Sequence, residues 1–312
     1  MTRIPTLGGP RFLTDGGIET VLIFQEGIEL PHNAAFVLLR DAAGIARLGD
    51  YYERYIAIAR ASGTGFVLES PTWRANPDWA ARIGVDADEL DALNRLAIEL
   101  MRELAETHAS PTLQMVVSGC VGPRSDGYRP EALMTGDAAA AYHAAQIGSF
   151  AAAGADMIAA ITMTHVGEAV GVARAARAAG LPVAISFTVE TDARLPSGET
   201  LQAAIEAVDA ATGNYPAYYM VNCAHPSHFA AALAADEAWV TRIGGLRANA
   251  SRLSHAELDA APELDSGDPE QLGREHRQLV ERLPQLAVLG GCCGTDHRHV
   301  QAIADACLKV AA

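Results

Sequence analysis

Positive charge is scarce in this 312-residue chain: 23 Lys and Arg stand against 38 Asp and Glu, a formal charge of −15. That deficit argues against nucleic acid or an anionic membrane as a partner, since both need a basic face. Long apolar runs are missing too. No stretch approaches the ~18 uninterrupted apolar residues of a membrane span, and residues 1–10 lack the apolar core of a secretion signal, so the chain reads as cytoplasmic. The five cysteines are too few for a disulfide framework at this length. Their odd number, with two adjacent, reads instead as metal ligands or free thiols in a reducing compartment. No Gly-x-Gly-x-x-Gly follows any predicted strand, which removes the usual dinucleotide fingerprint. What is present is ordinary: half the residues are apolar and a fifth are charged, the balance of a folded globular chain and not of a disordered one.

Short apolar runs alternate with longer helical patterns. The runs are 11–15, 65–69, 113–118, 156–162, 182–188, 217–222, 239–246 and 286–290. They are rich in Val, Ile, Leu and Met without strict alternation, as strands buried on both faces read. The helical patterns span 45–62, 86–107, 137–153, 167–179, 199–211, 269–282 and 295–310. Asp86 followed by Glu89 reads as a helix start, and Gly63, Gly154 and Gly180 read as helix stops. Eight strand-then-helix units, the first with an irregular connection, predict a (β/α)8 barrel; an open doubly wound sheet is the rival. The length alone suggests two domains, but no linker or composition break divides the chain, so 1–312 reads as one domain. Two long connections, 20–40 and 249–268, follow the first and seventh strands and belong on the catalytic face.

Functional side chains of such a barrel sit at the C-terminal ends of the strands. Those positions hold Asp15, Glu69, Cys120, Thr162 to His165, Glu190, Cys223, Arg247 with Asn249, and Cys292 with Cys293. Cys223, Cys292 and Cys293 end strands six and eight, and the glycines around the adjacent pair let both side chains converge. Three thiolates around one zinc leave a tetrahedral site one ligand short, the mark of a catalytic zinc. A vicinal redox pair, or cysteines buried as small hydrophobes, are the other readings.

The Asp15-Gly16-Gly17-Ile18-Glu19-Thr20 opening, the Gly119-Cys120-Val121-Gly122-Pro123 turn, Val221-Asn222-Cys223 and Gly290-Gly291-Cys292-Cys293-Gly294-Thr295 resemble the homocysteine S-methyltransferase family, in order and over nearly the whole chain. The resemblance implies a zinc-bearing barrel with Cys223, Cys292 and Cys293 as ligands. The acceptor thiol takes the fourth position and Asp15 helps to hold the amino acid. A free thiol with a pKa near ~8.5 is mostly protonated at neutral pH, and Zn2+ deprotonates it. The thiolate then attacks an electrophilic methyl on a sulfonium or quaternary ammonium. The chain closes after the eighth unit with no cobalamin signature, so the expected donor is a free small molecule such as S-methylmethionine, S-adenosylmethionine or a betaine.

The sequence departs from the family at the substrate positions. Ile161 stands where similar enzymes carry a glutamate for the homocysteine amino group, and isoleucine cannot pair with an ammonium. Glu69 is the candidate replacement; the alternative is a different small thiol. The expected substrate contacts are Asp15, Gly16, Gly17, Glu69, Thr162, His165 and Asn249; Trp73 reads either as an aromatic wall for a methylated cation or as packing. Cys120 reads as a small buried residue, and His225, His228, His297 and His299 as capping or surface groups. A non-catalytic zinc barrel and a metal-free barrel remain as rival classes. The oligomeric state stays open, a homo-oligomer included.

Overall fold

Eight short strands carry apolar side chains on both faces. They are β1 (Phe12–Leu13), β2 (Gly65–Glu69), β3 (Met115–Val121), β4 (Met157–Met163), β5 (Val183–Phe187), β6 (Tyr218–Asn222), β7 (Ile243–Ala248) and β8 (Val288–Gly291). In the computed structural model, which describes residues 4–131, 133–234 and 237–308, they form one closed parallel barrel in chain order. Phe12 pairs with Gly65 on one side and with Val288 on the other, which closes the ring. One set of side chains, Phe66 and Leu68 among them, packs outward with the helices; the other, with Phe12, Val67, Val116, Met157, Tyr218 and Val288, fills the barrel.

The helices are α1 (Ala42–Ser62), α2 (Pro77–Arg82), α3 (Ala87–His108), α4 (Gly136–Ala153), α5 (Val166–Ala178), α6 (Leu201–Thr212), α7 (Pro226–Phe229), α8 (His255–Ala260), α9 (Pro269–Arg282) and α10 (His297–Cys307). Their starts follow local chemistry. The side chains of Asp41, Asp86, Thr135, Thr200 and Asp268 accept from backbone N–H groups that the first turn leaves unpaired. Among the described residues no helix is long and apolar enough to cross a membrane.

Most bounds shift from the sequence reading by one to three residues, and the short helices α2, α7 and α8 are additional to it; two differences have a clear local cause. The seventh strand starts at Ile243 because Ala238–Arg242 forms a 3-10 turn with Trp239 and Val240 buried. The last helix starts at His297, after Asp296 and His299 form a reciprocal cap; its expected end at 310 lies outside the described residues.

Candidate active site

Because side chains alternate along a strand, the inward series that begins with apolar residues continues to the mouth of the barrel as Glu69, Cys120, Ile161, Arg247 and Cys292, all lining one cavity of about 190 Å3. Two non-glycine residues break the alternation with left-handed backbones: Thr162 at φ 64° and Cys223 at φ 53°. Such a conformation costs on the order of 1 kcal/mol. It lets Ile161 and Thr162 both face the cavity, and brings Cys223 to its wall beside β8. Asn222 holds this arrangement. Its amide accepts from the Thr162 N–H at 2.9 Å and donates to Thr162 Oγ1 at 2.8 Å, while Ser186 Oγ donates to Asn222 Oδ1 at 2.6 Å.

Cys223, Cys292 and Cys293 converge as the sequence predicts. Cys223 Sγ lies 2.7 Å from Cys292 Sγ and 3.5 Å from Cys293 Sγ, and all three are free. Among the described residues they are the group of three ligand atoms close enough to hold a metal ion. A tetrahedral ion with ~2.3 Å bonds to sulfur spaces its sulfurs about 3.8 Å apart, so the trio accommodates one by opening about 1 Å at its closest pair. Hydrogen bonds from Cys223 and Cys293 hold the Cys292 thiol well below its ordinary pKa, with help from Arg247 and the Asn222 amide. Cys120 lies outside the trio, buried at the cavity floor, and Cys307 sits at the end of α10.

The carboxylates are arranged differently from expectation. Arg247 on β7 donates to Glu69 Oε2 and, at 2.5 Å, to Asp15 Oδ1; its Nε donates to the Gly291 carbonyl at 3.2 Å. Tyr51 donates to the other Asp15 oxygen at 2.8 Å. Both Asp15 oxygens therefore accept from protein donors, while Asp15 still lines the cavity. Burial outweighs these partners, raising the Asp15 carboxyl above its usual range and Glu69 to about 7.

Of the expected substrate contacts, Asp15, Gly16, Gly17, Glu69 and Thr162 line the cavity. His165 and Asn249 do not. His165 precedes α5, and its Nε2 accepts the Met134 N–H at 3.1 Å, turned toward Glu168. Asn249 is buried behind the site, its N–H bonded to the Ala224 carbonyl and its Oδ1 without a partner. Trp73 lines the cavity, but the Arg74 guanidinium covers its ring at 4.0 Å, which takes a face that a methylated cation would need. His225 and His299 cap helices α7 and α10.

Tyr128 is a site residue that the strand-end rule does not reach. From the loop after β3, its hydroxyl donates to Cys223 Sγ at 3.6 Å and contacts Cys293 Sγ at 3.5 Å. Its ring stacks on His255 at 3.9 Å, and His255 bonds the Cys223 carbonyl at 2.7 Å. The long connections carry Asn33 and Asp259 to the cavity, and Glu19 reaches it from the turn after β1.

Gly17 locks the turn after β1 against the turn that carries the cysteine pair. Its N–H donates to the Thr295 carbonyl at 3.1 Å, and a Cβ at this position would lie 2.6 Å from the Cys292 carbonyl oxygen. Gly17→Ala must push the Cys292 backbone away. The expected result is a loss of about 1–3 kcal/mol of stability with weakened metal binding, read by thermal unfolding and chelator competition. Unchanged metal affinity would contradict this packing role.

A family model described as homocysteine S-methyltransferase matches residues 12–307. The crystal structure of the homocysteine methyltransferase MmuM from Escherichia coli in its oxidised form is 22% identical, covers 95% of each chain and superposes with a TM-score of 0.72. The metallated form is 21% identical, covers 95% of this chain and 96% of its own, and gives 0.70. At that identity the two structures bear on the fold. No curated protein matches the chain.

Proposed function

The chain belongs to the homocysteine S-methyltransferase family, is accordingly a methyltransferase, and from that premise we propose that it moves a methyl group from a small cationic donor to a zinc-bound thiolate, with homocysteine as the acceptor. The observation that carries this reading is the convergence of three free cysteine sulfurs at the mouth of the barrel. Their soft donors suit zinc above magnesium or calcium, and one coordination position would stay open for a substrate sulfur. When bound, zinc would lower the pKa of that thiol and keep it a thiolate at neutral pH.

The protein's own groups account for the rest. Asn222 Nδ2 lies 3.8 Å from Cys292 Sγ and orients it, and the Tyr128 hydroxyl caps Cys223 and Cys293. The cavity is lined by Asp15, Glu19, Glu69, Asp126 and Asp259 against Arg74 and Arg247, a balance that favours a positively charged donor. The acceptor sulfur supplies the electron pair for the new S–CH3 bond. The donor's bond to that carbon breaks, and the donor leaves as a neutral sulfide or tertiary amine. S-methylmethionine, S-adenosylmethionine and a betaine are the small donors whose methyl group sits on such a leaving group. Ile161 in the cavity wall and the engagement of Asp15 favour a second reading, in which the acceptor is another small thiol.

The test is a methyl-transfer assay that crosses these donors with homocysteine and other thiols. Methionine formed from homocysteine and a small sulfonium or betaine is the expected result. Transfer to other thiols alone would favour the second reading, and no transfer to any thiol by zinc-replete reduced protein would overturn both.

A further inference from the structure

An aminothiol bound beside the three cysteines brings an ammonium into the cavity, and that charge needs an anionic partner. Ile161 offers none. Asp15 accepts on its two oxygens from Arg247 and Tyr51, and Glu69 Oε2 accepts from Arg247, so both already share a cation. Glu19 differs from both: it lines the same cavity, is half-buried, and forms no ion pair among the described residues.

Its position follows from the turn after β1. Gly17 packs on the Cys292 carbonyl, and Thr20 Oγ1 accepts the Gly294 N–H at 3.0 Å. Glu19, between them, is thereby fixed on the side of the cavity where the cysteine pair lies. Burial, with Cys292 and Asp15 nearby, pushes its carboxyl up to about 7, as expected of a carboxylate whose charge the protein leaves uncompensated. Arg74 is the cation whose charge acts on it, but it forms no ion pair with Glu19: it is held between the rings of Trp73 and Trp79, at 4.0 and 3.7 Å, and bonds Asp126.

We infer that Glu19 is the specificity-determining residue that receives the ammonium of an aminothiol acceptor, in place of the carboxylate that Ile161 removes. This rests on the reading that the three-cysteine site takes a thiol. It favours homocysteine over thiols of the same length without an amino group.

Calorimetric binding of L-homocysteine and of 4-mercaptobutyrate, its analogue without the amino group, to the zinc-loaded protein separates the two ideas. The wild-type protein is expected to bind homocysteine about tenfold or more tightly than 4-mercaptobutyrate, the scale of a charge-assisted hydrogen bond. Glu19→Gln should remove that preference and leave 4-mercaptobutyrate affinity within about twofold, while Glu19→Asp restores part of the preference. Thermal unfolding should show Glu19→Gln folded, because the substitution breaks no ion pair. A wild-type preference that survives in Glu19→Gln, or equal losses for both thiols, would overturn the inference and leave the methyltransferase reading intact. Tighter wild-type binding of 4-mercaptobutyrate would also overturn it. If the wild-type protein binds neither thiol, the functional reading itself fails.

Discussion

Arg247→Met should destabilise the fold by about 3–5 kcal/mol, because removing one member of a buried ion cluster leaves its partners charged and unpaired. Arg247, Asp15 and Glu69 are each less than a tenth exposed. The guanidinium joins three strand ends: β1 through Asp15, β2 through Glu69, and β8 through the Gly291 carbonyl. Its loss leaves two buried carboxyls that must stay charged without a cation or take up protons, so the unfolding temperature should fall on the order of 10 °C. The double variant Arg247→Met with Glu69→Gln removes one of the stranded charges and should recover part of the loss. Differential scanning calorimetry of the three proteins checks both statements. An Arg247→Met protein as stable as the wild type would mean that the cluster does not carry the mouth of the barrel.

Cys223→Ala is expected to abolish stoichiometric zinc binding and to lower methyl transfer by more than a hundredfold, since even changes to groups that merely orient metal ligands cost about 10–100-fold. The fold should survive. Cys223 sits in a left-handed conformation just past the end of β6, so its side chain serves the site while the apolar packing of β6 lies in Tyr218 to Val221. Metal analysis, circular dichroism and the methyl-transfer assay on the same preparation separate loss of function from loss of structure. Full zinc content in the folded variant would remove Cys223 from the ligand set.

Much of this architecture was legible because chain chemistry punctuates it. The second strand, Gly65–Glu69, and the helix Pro269–Arg282 match the sequence reading residue for residue; the helix is bounded by Asp268 and Pro269 at its start and by Pro284 beyond its end. Residues 239–242 misled because a buried 3-10 turn and a buried strand share an apolar composition. The cysteine trio was readable from strand ends and flanking glycines. The strand-end rule also selected His165 and Asn249, but local backbone geometry turns those side chains away from the cavity. Arg247 was visible as a strand end, yet its role depends on Glu69 and Asp15, 178 and 232 positions away, and no local pattern encodes such a pairing. Tyr128 sits in a loop with no periodicity. Glu19 was inside a quoted motif, but only the packing of the turn on Cys292 reveals the cavity it faces.

The central claim is that these three cysteines perform methyl transfer to a thiol. The most direct measurement follows methionine formation from homocysteine and S-methylmethionine by reduced, zinc-loaded protein, the same protein after zinc removal, and Cys223→Ala. Turnover in the first, near-complete loss in the other two, and recovery when zinc is returned to the stripped wild type are the predicted results. Turnover that persists undiminished without zinc, or in Cys223→Ala, would contradict the account.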